Sequence, residues 1–370
     1  MSVYSYKCPN CAGSLIYKPE KAKLTCEYCK STFTKEEIDL YLKNNPDKIE
    51  KTVEEVNHEQ LYESLDSKKN HENKSEDINS EIIHGYICNN CGAEVVTDST
   101  TLTTFCYYCH SPVVITVRAI DKFRPDYLIP FKISEKQAKE NFLKWAKSKR
   151  YVPKSFYSSS QLEKITGMYL PYWSVNVDYD IDVRGKGYNY ETHVSGDYEI
   201  KTTNEFNIDT TGSLKIDGVS ELAYTKVDRT NLDSITPYNF AEKVDFNFYY
   251  LNGFFSEIYD IEKKDLAPII DTRLQEYKNG ILKNIISKYE RVSLMSNKIE
   301  ETDRKWKYVL LPTWILTYKY NNNIYVYTMN GQTSKFYGEL PIDKKLLMRD
   351  QFITAIIIFI LTLIGGYFLW

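Results

Sequence analysis

The eight cysteines are the residues whose spacing speaks first for chemistry. Cys8 and Cys11 form one Cys-x2-Cys pair, and Cys26 and Cys29 form another, with 14 residues between the pairs. Cys88, Cys91, Cys106 and Cys109 repeat this frame 80 positions further on, and no cysteine lies outside it. Two thiolates two residues apart on a tight turn can face one ion, and a second such turn completes a tetrahedron with Zn–S near ~2.3 Å. The frame therefore predicts two four-thiolate sites, each holding one structural Zn2+. Zinc suits soft sulfur and brings no redox chemistry to a structural site. A redox dithiol and rubredoxin-like iron are the competing readings of such pairs, and four pairs in two matched frames favour structural zinc. Four sulfurs close each site, which argues against catalytic zinc. His110, directly after Cys109, reads as a loop residue.

The elements that must position these thiolates are two small ribbons, residues 1–35 and 85–118. Each is too short to fold on an apolar core, so metal binding, worth roughly 10–16 kcal/mol in small zinc peptides, supplies the folding energy. The opening "MSVYSYKCPN" has no look of a secretory signal, so disulfides fit poorly and a reducing compartment is expected. Residues 36–84 join the ribbons with 14 acidic residues against 6 basic ones. That stretch reads as a mobile linker, partly helical near Glu36–Leu42 and Val53–Leu65, with His58 and His71 solvated.

Residues 351–370 predict a transmembrane helix. From Phe352 to Trp370 there are 19 residues without a charge, a rise of about 28 Å along a helix, close to the ~30 Å hydrocarbon core of a bilayer. Tyr367 and Trp370 stand where an aromatic belt belongs, and Lys344, Lys345 and Arg349 flank the other end. The positive-inside tendency then puts the N-terminal bulk in the cytoplasm and the C-terminus outside, in agreement with reduced cysteines. A helix apolar on every face has little else to bury against, which sets aside a soluble core helix. Gly365 and Gly366 read as glycines tolerated within a span. Formal net charge is −3. Eight thiolates and two Zn2+ would bring it to roughly −7, a balance that does not favour DNA binding.

Residues 119–345 predict an α+β domain rich in antiparallel strands. Ser134 and Gln137 fit a capping box, and Ala138, Phe142, Trp145 and Ala146 make one apolar stripe behind it. The other face carries Lys136, Lys139, Lys144 and Lys147, a solvated face first and a contact for anionic headgroups second. Trp173, Val175, Val177, Tyr179, Ile181 and Val183 alternate with polar residues, the pattern of a strand with one wet face. Asp178, Asp180 and Asp182 then line that wet face and are not read as a metal site. "EFNIDTTGSLKIDGV" predicts a hairpin turning near Thr210–Gly212. A long helix follows, with Ile270, Leu274, Tyr277, Ile281, Ile285 and Tyr289 as its inner stripe. Three short strands then form a meander, broken at Asn321–Asn323 and Asn330–Gly331. Leu170-Pro171-Tyr172-Trp173 and Leu311-Pro312-Thr313-Trp314 each open a strand after a helix, which suggests an internal duplication. No nucleophile elbow, P-loop, HExxH or Rossmann glycine pattern occurs. "SFYSSS" reads as a loop and Asn330–Thr333 as a turn, so no enzymatic activity is expected.

The paired Cys-x2-Cys frames, "LIPFKIS" before a helix, "GMYLPYW", "MNGQT" followed by "GELPID" and the apolar tail together resemble the bacterial TFIIB-type zinc-ribbon membrane proteins. The resemblance covers most of the chain outside the linker, although ribbon two has Asn89 where ribbon one has Pro9. It implies a non-enzymatic scaffold at the inner membrane face, with partners similar to phage-shock-protein-A-like or flotillin-like envelope-stress proteins. By residue it carries over only zinc ligation, to the eight cysteines. The expected fold is multidomain: two zinc ribbons, the α+β domain and one transmembrane helix. The expected function is an adaptor whose ribbons reach out on the acidic linker to a protein partner. The alternative is a membrane-tethered nucleic-acid binder, because ribbon one carries Lys7, Lys18, Lys21, Lys23, Lys30 and Lys35 against Glu20 and Glu27.

Overall fold

The computed structural model describes residues 3–4, 6–45, 84–87, 94–106, 110–115, 123–157, 165–321 and 323–369. The linker helix expected at Val53–Leu65, His58, His71, the end of "SFYSSS" and Trp370 lie outside the described residues.

The chain opens with β1 (Val3–Tyr4), β2 (Leu15–Lys18), β3 (Lys23–Cys26) and β4 (Thr32–Phe33). β2, β3 and β4 form a small antiparallel sheet, with Leu15 opposite Cys26. Helix α1 (Lys35–Asn44) follows, started by Thr34 and Glu37, each of whose side chains bonds the other's backbone N–H. The helix covers the Glu36–Leu42 stretch where one was expected, and its buried Ile38 packs it against the rest rather than leaving it to swing free.

This ribbon does not stand off on a tether. Leu15, Tyr17, Leu24, Cys26 and Ile38 share one core with Phe131, Tyr249, Phe254 and Trp314 of the strand-rich body. Tyr17 N donates to Asn252 O at 2.8 Å, Leu24 N donates to the Tyr249 hydroxyl at 3.1 Å, and Asn252 Nδ2 donates to Leu15 O. Apolar residues at alternate ribbon positions thus bury outward against the body, which differs from the reach-out arrangement that the acidic linker suggests.

Further on, β5 (His84–Ile87) pairs with β6 (Glu94–Thr97), and β7 (Thr101–Phe105) with β8 (Pro112–Ile115). β8 also takes β1, so both ends of the cysteine-bearing region join the large sheet. That sheet has eleven strands among the described residues. Its remaining members are β9 (Tyr127–Leu128), β10 (Thr166–Ser195), β11 (Tyr198–Leu222), β12 (Val244–Asp245), β13 (Phe255–Glu257), β14 (Arg291–Tyr320), β15 (Asn323–Asn330) and β16 (Phe336–Gly338).

β10 and β14 each run for 30 residues, roughly 100 Å at ~3.3 Å per residue. With β11 they make a long three-stranded arm. The period-two reading holds from Val175 outward, where Val175, Val177, Tyr179 and Val183 are buried, Ile181 is half-buried and Asp178, Asp180 and Asp182 point to the wetter face; at Ser174, fully buried, both faces are covered. Asp178 faces Lys215 at 3.5 Å and Asp182 faces Arg184 at 2.7 Å. The hairpin turn, however, is not at Thr210–Gly212. β11 runs straight through that stretch, Gly212 pairing with Ile181, and the chain reverses at Gly196–Asp197. Gly196 takes φ 61 at the first central position, as a II′ turn requires, whereas Thr210 and Thr211 are β-branched and belong in a ladder.

Helix α2 (Glu135–Ser148) has the expected capping box and buries Ala138, Phe142 and Ala146. Helix α3 (Lys263–Ile286) lies along the arm, burying Ile270 and Leu274. Its stripe departs from the expectation at Tyr277, which is 53% exposed. Lys278 takes the inward place, its ammonium 5.7 Å from the Tyr179 ring centroid, a site a lysine fills with its aliphatic stem and cation.

Both Leu-Pro-x-Trp motifs sit inside strands rather than at their starts, and they pair with each other, Leu170 opposite Leu311. Around this point the contacts match. Trp173 Nε1 donates to Ile261 O and Trp314 Nε1 donates to Ile133 O, both at 3.0 Å. Each acceptor precedes the N-cap of a helix, α3 and α2. β13 runs parallel to β10 at Tyr169, and β9 runs parallel to β14 at Leu310. The Asn330–Thr333 stretch is a turn, pinned by the fully buried Asn330, whose Oδ1 accepts from Gln332 N and Thr333 N. Last comes α4 (Lys344–Leu369).

Candidate metal centre

Ribbon one brings its cysteines together by backbone geometry. Cys8 N donates to Gly13 O and Ala12 N donates to Cys8 O, with Ala12 at φ 60. Cys26 N donates to Ser31 O and Lys30 N donates to Cys26 O, with Lys30 at φ 62. Both pairs therefore lie on the same knuckle turn, closed by a residue in the left-handed region, and each turn aims two thiols at one point.

The four sulfurs lie within 4.8 Å of one another. Cys8 and Cys29 are 3.6 Å apart, and Cys11 and Cys26 3.5 Å. An ion bound tetrahedrally at ~2.3 Å would set sulfurs about 3.8 Å apart, so the group fits a soft divalent metal with a small outward adjustment. Cys8 and Cys26 are buried while Cys11 and Cys29 are exposed, so the ion would sit at the ribbon's rim. Burial pushes the Cys8 thiol up to about 12, whereas the Ser31 hydroxyl and N–H draw Cys29 down to about 6. Metal ligation would deprotonate all four, so binding of an ion here would release protons.

Ser31 was not legible as part of this site. Its hydroxyl lies 3.3 Å from Cys29 Sγ and accepts from Asn10 Nδ2 at 2.9 Å, linking the two knuckles. The signal was available: Ser31 and Ser111 occupy matching positions, 80 apart, in the cysteine repeat. These outer contacts orient the ligands.

Of the second frame, Cys106 is described and buried, while Cys88, Cys91 and Cys109 lie outside the described residues. Around Cys106 the knuckle recurs. Cys106 N donates to Ser111 O at 3.0 Å, His110 N donates to Cys106 O at 2.9 Å, and His110 takes φ 55. His110 thus stands where Lys30 stands in ribbon one, in the loop as expected. The Ser14 hydroxyl donates to the Ser111 hydroxyl at 2.9 Å in a buried contact between the two frames.

At the other end, one helix among the described residues is long and apolar enough to cross a membrane, Lys344–Gly365, with none of its apolar stretch buried against the rest. Lys344, Lys345 and Arg349 are exposed on its first turns.

No family model and no solved structure matches the chain. Among curated proteins it is similar to the uncharacterized protein YdjG of Bacillus subtilis (strain 168), 28% identical over 231 residues, which cover 62% of this chain and 68% of that protein.

Proposed function

We propose that this protein is a non-enzymatic, membrane-anchored zinc-ribbon adaptor that recruits a protein partner to the cytoplasmic face of the membrane. The observation that carries the proposal is a closed four-sulfur cluster on the same chain as an uncovered apolar helix. Four sulfurs leave a tetrahedral ion no open position for substrate, which supports a structural ion. Zinc on Cys8, Cys11, Cys26 and Cys29 is one half of the reading. The second ion, on Cys88, Cys91, Cys106 and Cys109, is supported by the recurrent knuckle at Cys106. The five described cysteines, none of them in a disulfide, and the cations Lys344, Lys345 and Arg349 support an inward-facing body. The internal duplication is supported by the paired Leu170 and Leu311 and by the matched tryptophan contacts to Ile261 and Ile133.

The recruiting surface we favour is ribbon one with the helix that follows it, where Tyr28 of the ribbon is 73% exposed and Leu40 of α1 60% exposed. Aromatic and aliphatic side chains of this kind anchor protein contacts. Crosslinked co-purification from intact membranes tests the reading. Partners captured by the native chain should be lost with Cys8→Ser, and an unchanged set would overturn the ribbon's role. The exposed Lys7, Lys21 and Lys30 favour the nucleic-acid alternative, which predicts retention of DNA or RNA at low salt and its steep loss as salt rises.

A further inference from the structure

We infer that the C-terminal end of α2 is a rim that binds anionic lipid headgroups; the inference rests on the reading of α4 as a membrane span. The segment just after α2 and the start of α4 are distant in sequence, yet the fold joins them at the root of the apolar helix. Asp343 N donates to Tyr151 O at 2.7 Å. The Arg150 guanidinium meets Asp350 Oδ2 at 2.6 Å, and Arg349 Nη2 lies 3.1 Å from Asp350 Oδ1. Asp350 is only 9% exposed, and it is the last charged residue before the uncharged run to the C-terminus. Arg150 is thereby held at the level where polar chain gives way to bilayer-compatible helix.

The chain around Arg150 is one-signed. Between Phe142 and Tyr157 it carries Lys144, Lys147, Lys149, Arg150 and Lys154 and no acid, and all five cations are exposed. Lys344, Lys345 and Arg349 add to them from α4, while the one buried acid there, Asp350, already has two arginine partners. Ile342 and Met348, exposed beside these cations, supply apolar contacts at the same level. A basic helix face is by itself only a solvated one. Here a contact fixed at two points brings it to a membrane-spanning segment, where cations attract anionic headgroups and the attraction is screened by salt. The lipid phosphates would bridge the exposed lysines while Arg150 holds Asp350 neutralised.

The test uses the full chain in lipid nanodiscs of phosphatidylcholine alone or mixed with phosphatidylglycerol, read by amide hydrogen exchange across residues 147–157. Anionic lipid should slow exchange there by at least about threefold, and high salt should reverse the slowing. Lys147→Glu combined with Lys149→Glu and Lys154→Glu should abolish the lipid dependence, whereas Lys278→Glu with Lys283→Glu on α3 should preserve it. Equal exchange in both lipids, in a chain that resists carbonate extraction, overturns the rim and leaves the span standing. Release by carbonate overturns the span and the rim together.

Discussion

Glu257 on β13 is 6% exposed, and burial together with the Asp98 charge pushes its carboxyl from 4.5 up to about 7, against hydrogen bonds with Thr100 and Tyr224. The folded chain therefore holds this proton more tightly than the unfolded chain. The associated stability is fully present below about pH 4.5 and is lost as pH rises through about 7, on the order of 3 kcal/mol in all. Glu257→Gln should remove that decline, so its melting temperature should hold across the window in which the native protein's falls; parallel curves would refute the assignment. Gly331 makes a steric prediction. A Cβ there would meet the Phe131 ring at 2.5 Å and Pro312 at 2.9 Å. Gly331→Ala should destabilise by about 1–3 kcal/mol in denaturant titration. The clustering of Cys8, Cys11, Cys26 and Cys29 was legible at this scale, because ligand spacing is local. Glu257 was not, since its environment is assembled from the chain just before β7 (Asp98, Thr100), just after β11 (Tyr224) and β13 itself, far apart in sequence.

At the scale of elements, period and capping were readable wherever one face alone is buried. The α2 capping box and the alternation along β10 follow from sequence directly. What failed depended on partners. Tyr277 fits the apolar period of α3, yet Lys278 covers Tyr179 instead, a choice made by the ring beneath. Leu274→Ala should therefore cost about 2–4 kcal/mol, while Tyr277→Ala should stay within about 0.5 kcal/mol. Equal losses in denaturant midpoints would contradict this placement of the helix. The turn of the β10–β11 hairpin was misread because Thr-Thr-Gly resembles a turn until its ladder is known. Beyond Tyr188 no third strand pairs with the hairpin among the described residues, since β14 begins opposite that residue.

For the whole molecule, composition announced ribbons, a strand-rich body and an apolar tail, but not that ribbon one is seated in the body's core. Under the proposed reading, that seating would couple metal binding to global stability. Leu15, Leu24, Cys26 and Ile38 are continuous with Phe131, Phe254 and Trp314. Stripping the ion with a chelator should lower the melting temperature of the body as well as unfold the ribbon. A body transition unmoved by chelation would mean that the shared core contributes little.

The account depends most on metal held by two cysteine frames. Elemental analysis of the purified full-length chain measures this directly. We predict two zinc ions per chain, falling to one in Cys8→Ser with the second frame still loaded. A chain that carries no tightly bound metal, or one whose zinc content is unchanged by Cys8→Ser, would contradict the account.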